Sequence, residues 1–145
     1  MRRAGIVVLL LCVAGGAESK PASRDSGAFS IVKKADAFES ARGVAGEFTK
    51  AGIAFNRLYC LKDVPAFRSL ARSPSGAAQL YGLCGLERLQ DPVAPATRAR
   101  LLKSKARTSI IVGDELPYPE GSVRELLQRP EFVGACSLLT GRELC

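Results

Sequence analysis

The residues of this 145-residue sequence that are best suited to chemistry are four cysteines, Cys60, Cys84, Cys136 and Cys145. An even number of cysteines in an exported chain is typical of two disulfides, and the sequence leaves all three pairings open. Four thiolates also bind zinc, but such sites usually contain close C-x2-C pairs. The closest two here, Cys136 and Cys145, are nine residues apart. A free Cys84 thiol inside a helix is a further alternative. The spacing favours two disulfides.

A second group of candidate residues consists of three carboxylates, Asp114, Glu115 and Glu120, in a loop that contains glycine and proline. Paired carboxylates perform acid–base catalysis or bind Ca²⁺. The spacing matches no EF-hand loop, and it favours a solvated loop. A small hydrolase or inhibitor that uses carboxylates, or the hydroxyl of Tyr81, is kept as an alternative function.

A run of basic residues forms a third candidate group: Arg98, Arg100, Lys103, Lys105 and Arg107. Such a run is able to contact phosphates or anionic lipids. No aromatic residue separates the charges, so the run offers no ring on which a base could stack. We interpret it mainly as a solvated helix face, with contact to an anionic surface as its candidate role and no role in nucleic-acid binding.

The sequence contains no histidine. This excludes Ser-His-Asp and Cys-His catalysis in their usual forms, and zinc sites that include histidine. We therefore predict no catalytic residue, no cofactor and no metal site. The formal net charge is +7, from 21 basic and 14 acidic residues, and it becomes +5 if Arg2 and Arg3 are removed with a leader. A mild positive excess favours anionic partners.

The N-terminal segment has the pattern of a secretory signal peptide. Two arginines precede an uncharged apolar run from residue 4 to residue 14, and small residues follow up to Ala17. The run is shorter than the roughly 20 residues that span a bilayer. We predict a signal peptide over residues 1–17, cleaved after Ala17, and a secreted or periplasmic location. Because Leu9 to Cys12 resembles a lipobox, lipidation of Cys12 and a membrane-anchored product remain the alternative, although Leu11 is larger than the usual residue before such a cysteine.

The remaining sequence predicts a flexible lead-in over residues 18–34 and a single, mostly helical domain over residues 35–145. Residues 29–32 are compatible with a short strand or a docking tail, and residues 35–46 are ambiguous. Apolar periodicity and capping residues predict helices at 48–61, 64–72, 76–89, 95–105 and 123–128. Asp63 is expected to cap the second of these helices, and Ser75 the third. Three β-branched residues within 108–112 predict a buried strand.

Most of the remaining expectations concern the third predicted helix, at residues 76–89. Gln79, Glu87 and Arg88 are expected to face outward, whereas Tyr81 is expected in the core with its hydroxyl hydrogen-bonded. Gly82 and Gly85, one turn apart, predict a close approach of another backbone, either the strand that contains Ile110 or a neighbouring helix.

The sequence of the same helix is also similar to that of a helix in other proteins. Residues 76–86, GAAQLYGLCGL, resemble a helix of uncharacterised exported bacterial proteins that contain a HEAT-like helical hairpin. The similarity includes FESAR at residues 38–42 and AFRSL at residues 66–70, and it spans about residues 38–127. It implies a fold and a compartment but no activity. In those proteins a second cysteine follows the glycine after the strand, and Asp114 occupies that position here, so the resemblance leaves the partner of Cys84 open.

These observations predict a mainly α fold in which short HEAT-like helical hairpins pack with one or two short strands and disulfides stabilise the domain. The predicted function is that of an exported, non-enzymatic interaction or envelope-associated protein. Its partner is expected to be an unknown protein or an anionic component of the envelope, with a membrane involved only if Cys12 is lipidated.

Overall fold

The structure, a computed structural model, describes residues 23–40, 47–113, 117–140 and 145. Within these ranges the chain is mainly helical, with helices at α1 (Ser26–Lys33), α2 (Lys50–Cys60), α3 (Val64–Ala71), α4 (Gly76–Arg88), α5 (Ala94–Leu101), α6 (Val123–Leu126) and α7 (Pro130–Thr140). Four two-residue strands accompany them, at β1 (Phe38–Glu39), β2 (Arg107–Thr108), β3 (Ile110–Ile111) and β4 (Gly121–Ser122).

Short polar side chains determine where several helices begin. The side chain of Asp63 accepts the backbone N–H of Ala66 at the start of α3, and Ser75 does the same for Ala78 at the start of α4. Each of these bonds satisfies a backbone donor that lacks a partner within the helix. Both caps were predicted from the sequence, and the structure confirms them.

Helix α4 lies at the centre of the fold. All eleven residues from Gly76 to Leu86 are buried, so the helix has no solvent-exposed face over three turns. The surrounding elements pack on every side of it: α1, α3, α5, α6, α7, β1 and β2. Because a helix that is buried on all faces needs apolar or small residues throughout, the many Ala, Gly and Leu residues in this segment follow from its position.

Helices α3 and α4 form an antiparallel hairpin in which the two helices pack very closely against each other. A Cβ atom on Gly82 would overlap the backbone N of Ala71 and lie 2.7 Å from the carbonyl oxygen of Phe67. A Cβ on Gly85 would overlap the ring of Phe67. The predicted close approach of another backbone is confirmed at Gly82, where the neighbour is α3, whereas the atoms next to Gly85 belong to the side chain of Phe67.

An aromatic cluster fills the space between α4 and the neighbouring elements. The Tyr81 ring lies 4.7 Å from Phe38 and 5.7 Å from Phe55, centroid to centroid. Its buried hydroxyl accepts the backbone N–H of Glu39 at 2.9 Å and donates to the carbonyl of the same residue at 3.0 Å. The predicted core position of Tyr81 is therefore confirmed, and its hydroxyl attaches β1 to α4.

Two disulfides join distant parts of the chain. Cys84 on α4 is bonded to Cys136 on α7, and Cys60 at the end of α2 is bonded to Cys145. The two cross-links span 52 and 85 residues of sequence. In the chain-entropy model, a loop of either length stabilises a fold by about 4 kcal/mol, relative to the unfolded chain. The predicted disulfides are confirmed, and the structure selects one pairing of the three.

The strands form two small ladders around the segment that follows α5. Phe38 of β1 pairs with Ile110 of β3 in parallel, whereas Thr108 of β2 pairs with Gly121 of β4 in antiparallel orientation. The predicted buried strand at 108–112 is thus present as two short strands, β2 and β3, that pair with different strands.

The predicted lead-in over residues 18–34 is wrong for its second half, because residues 26–33 form α1. Asp25 caps this helix by accepting the N–H of Ala28, and its carboxylate lies 2.6 Å from the guanidinium of Arg57 on α2. Ala28 and Val32 are buried against the core. Residues 29–32 are therefore helical and form no strand. Residues 18–22 lie outside the described residues, as do the predicted signal peptide and Cys12.

Three further expectations are corrected. Helix α5 ends at Leu101 instead of residue 105, because the chain tightens into short-range turns after that point. Helix α7 was not predicted at all. Pro130 starts it, since a proline in the first turn lacks only an N–H that would have no partner there. Gln79 was expected to face solvent and is instead buried.

The contact between α3 and α4 predicts the effect of one methyl group. We expect Gly82→Ala to lower the free energy of unfolding by about 3 kcal/mol or more, because the added Cβ overlaps buried backbone that cannot move aside. Denaturant unfolding measures this loss. Gly134→Ala on α7 is the matched control, since its Cβ meets no atom within 4 Å. It should raise stability by about 0.5–1 kcal/mol. Equal effects of the two substitutions would contradict the packing described.

Candidate interaction surfaces

The structure divides the predicted basic run between two sides of α5. Arg98 forms a bidentate ion pair with Glu87 of α4, with N–O distances of 2.6 and 3.0 Å. The hydrogen bond to Glu87 raises the pKa of Arg98 despite partial burial, and the guanidinium also lies 5.7 Å from the Phe132 ring centroid. Arg98 therefore connects α5 to α4 and α7, and its charge is compensated within the fold.

Arg100 lies on the other side of α5, beside the end of α3. Its guanidinium donates to the backbone carbonyl of Ala71 at 2.8 Å. This bond places Arg100 next to Arg72, which follows Ala71 directly and is exposed. A carbonyl holds the guanidinium in position without neutralising its charge. Two exposed cations, Arg100 on α5 and Arg72 directly after α3, thus lie on neighbouring segments at this end of the molecule.

A buried amide holds the following loop against the same end. The Gln79 side chain donates to the carbonyl of Ser73 at 2.8 Å and accepts from the Ser104 hydroxyl at 2.7 Å. Ser73 follows Arg72, and Ser104 lies between Lys103 and Lys105, both of which are exposed. Gln79 therefore fixes the two backbone segments that carry Arg72, Lys103 and Lys105.

We define the basic end as Arg72, Arg100, Lys103 and Lys105. Across the described ranges, no ion pair joins any of these four side chains to a carboxylate. The sequence predicted three of the four members. Arg72 was missed because it lies at the end of α3, far from the predicted run in sequence, and only the fold brings that end next to α5.

Arg107, the last residue of the predicted run, lies where acidic groups border the basic end. Its guanidinium is 3.2 Å from the Glu120 carboxylate, and both side chains are well exposed. Glu125 lies nearby, where hydrogen bonds from Ser122 lower the pKa of the carboxyl and the charge of Arg107 contributes further. Arg107 is therefore partly compensated. Asp114 and Glu115, the other candidate carboxylates, lie outside the described residues.

A second surface feature is an apolar groove beside α2. The α2 groove has a volume of about 440 Å³ and is lined by Phe48, Ile53, Asn56, Arg57, Cys60 and Leu61. Ile53 and Leu61 are 53% and 40% exposed, and both line this one groove, so the groove presents apolar surface to solvent. Sequence reasoning missed this groove. Its signal was Ile53 itself, an apolar residue outside the helix face formed by Gly52, Phe55 and Tyr59.

The Cys60–Cys145 disulfide lies at the edge of the α2 groove. Cys60 lines the groove and is half-buried, and Cys145 is exposed. By contrast, Cys84 and Cys136 are 0% and 5% exposed. The two disulfides therefore differ in their access to solvent.

A third depression lies where α4 leads into α5, and its charged groups are already engaged. Asp91 accepts two hydrogen bonds from the Arg68 guanidinium, at 2.8 and 3.1 Å, and Glu87 is held by Arg98. These carboxylates act as structural anchors between helices.

Comparison with known proteins adds no relative. The chain matches no family model, and no curated protein or solved structure shows significant similarity to it. Two disulfides are typical of proteins that fold in an oxidising extracellular or periplasmic compartment. None of the helices in the described parts of the chain has the length and apolar character needed to cross a bilayer.

The buried amide of Gln79 gives a direct test of how the basic end is held. We expect Gln79→Met to lower the free energy of unfolding by about 1–3 kcal/mol, because it leaves the Ser73 carbonyl and the Ser104 hydroxyl without their partner. Thermal or denaturant unfolding measures the change. The control is Gln128→Met at an exposed position, which should stay within about 0.5 kcal/mol of the parent protein. A neutral Gln79→Met would show that the bridge is not formed.

Proposed function

We propose that this chain is an exported, non-enzymatic interaction domain that binds an anionic membrane surface through its basic end. The observation that carries the proposal is the convergence of four exposed cations on a fixed backbone, without ion pairs to described carboxylates. The phosphate groups of lipid headgroups are the ligand chemistry that such a patch fits.

The arrangement of the patch supports this choice of ligand. Arg100 donates to the carbonyl of Ala71, which directly precedes Arg72, and the Gln79 bridge keeps the Lys103–Lys105 segment next to Ser73. Each Lys or Arg close to an anionic bilayer contributes about 1 kcal/mol to binding. Four cations on one end are therefore sufficient for reversible attachment at low salt, and screening should weaken that attachment at higher ionic strength.

Export is the second component of the proposal. The two disulfides support an oxidising compartment. The N-terminal pattern of two arginines, an apolar run and small residues supports a cleaved signal peptide over residues 1–17. If Cys12 were lipidated instead, its lipid would anchor the chain in the membrane in addition to the electrostatic attachment. The resemblance to exported proteins with a HEAT-like hairpin points to the same compartment.

Vesicle co-sedimentation tests the role of the basic end. The parent protein should bind mixed phosphatidylcholine–phosphatidylglycerol vesicles at low salt and should not bind vesicles of phosphatidylcholine alone. The double substitution Lys103→Gln/Lys105→Gln removes about 2 kcal/mol of attraction, so binding should weaken by roughly 30-fold. Lys34→Gln/Lys50→Gln removes the same charge from exposed positions elsewhere and should weaken binding much less.

The remaining outcomes separate the alternatives. If both double variants lose binding equally, net charge alone drives attachment and the basic end has no special role. If the parent protein binds soluble polyphosphate but not vesicles, the patch recognises free phosphates and the membrane proposal fails. The intact mass of the exported protein tests the anchor, because loss of residues 1–17 excludes lipidation of Cys12 and added acyl mass on Cys12 excludes a freely soluble product.

A further inference from the structure

The two disulfides of this protein differ in whether another thiol is able to reach them. A thiol–disulfide exchange reaction needs an attacking thiolate close to one sulfur, so access controls its rate. The Cys84–Cys136 bond lies inside the core between α4 and α7. A thiol reaches it only when those helices separate. In the Cys60–Cys145 pair, by contrast, Cys60 is half-buried and Cys145 is an exposed residue in the folded protein.

The α2 groove adds a binding surface beside the accessible bond. Cys60 lines the groove together with the exposed aliphatic side chains of Ile53 and Leu61. A partner that packs on Ile53 would bring its own surface against the disulfide. The presence of a reachable disulfide at the edge of the groove identifies the chemistry of that partner, since a thiol is the group that reacts there.

We propose that the Cys60–Cys145 disulfide is a site of thiol–disulfide exchange and that the α2 groove receives the apolar surface around the reactive thiol of a dithiol protein. The site is independent of the basic end, which carries the proposed membrane contact from other residues.

The reaction at this site balances with the dithiol as the only reductant. One thiolate of the dithiol attacks the sulfur of Cys145, a mixed disulfide forms, and the electron pair of the broken bond goes to the sulfur of Cys60, which takes up a proton. The second thiolate of the dithiol then attacks its own partner sulfur in the mixed disulfide and releases Cys145, which is protonated. The dithiol leaves as a disulfide, and two electrons have passed to this chain.

The contacts that form the core do not depend on the outer disulfide. The core disulfide still joins α4 to α7, and the aromatic contacts of Tyr81 with Phe38 and Phe55 do not involve Cys60 or Cys145. Reduction therefore removes the cross-link between α2 and Cys145 without opening the core. The site acts as a reversible covalent tether at the edge of a stable domain.

Limited reduction followed by alkylation and peptide mass mapping tests the first part of the proposal. Under native conditions with dithiothreitol, Cys60 and Cys145 should be alkylated first. Cys84 and Cys136 should react at least about 100-fold more slowly, because they become accessible only on opening of the core. Simultaneous alkylation of all four cysteines, or earlier alkylation of Cys84 and Cys136, would overturn the proposal.

Comparison of a protein dithiol with a small one tests the groove. With thioredoxin, thioredoxin reductase and NADPH as the probe, Ile53→Asp should slow reduction of Cys60–Cys145 by about tenfold or more, since a buried charge opposes apolar docking. Reduction by dithiothreitol should keep its rate. Val133→Asp, at a 58% exposed position on α7, is the matched control and should change neither rate. If Ile53→Asp leaves the thioredoxin rate unchanged, or slows both reductants equally, the groove is not a docking site.

Discussion

The close contact between α3 and α4 is the constraint from which the rest of the structure follows. Gly82 and Gly85 let the two helices approach until no room remains for a Cβ atom, and α4 is consequently buried on every side. A helix in that position packs against the neighbouring elements on all of its sides. Tyr81 holds β1 through its hydroxyl, Cys84 holds α7 through a disulfide, and Gln79 holds the loop after α5.

This arrangement places polar and reactive groups on the outside of a rigid centre. The basic end exists because the first turn of α4 fixes the loop with Lys103 and Lys105 next to the end of α3, where Arg100 binds the carbonyl that precedes Arg72. The α2 groove exists because α2 uses one face for the core and leaves Ile53 outside. The two proposed activities, attachment to anionic lipid and exchange of the outer disulfide, therefore use different surfaces supported by the same core.

Local chemistry explains which parts of the fold could be predicted from the sequence. Asp63 and Ser75 predict helix starts because each side chain caps a backbone N–H only three residues further along the chain. The glycine pair in α4 indicates a close approach, but the sequence does not identify the neighbouring element. The parts that were missed depend on distant contacts. Helix α1 is stabilised by burial of Val32 and by the pair between Asp25 and Arg57, and the cysteine pairing depends on where α7 packs. The basic run was divided because Glu87, on another helix, captures Arg98.

Native-state hydrogen exchange followed by NMR tests the central position of α4 most directly. The amides of Leu83 to Leu86 should exchange only through global unfolding, so their opening free energy should equal the value from denaturant unfolding. The amides of α1, at the edge of the fold, should exchange through smaller openings. Exchange of the α4 amides at a lower free energy than those of α1 would contradict an account in which every other element is built around α4.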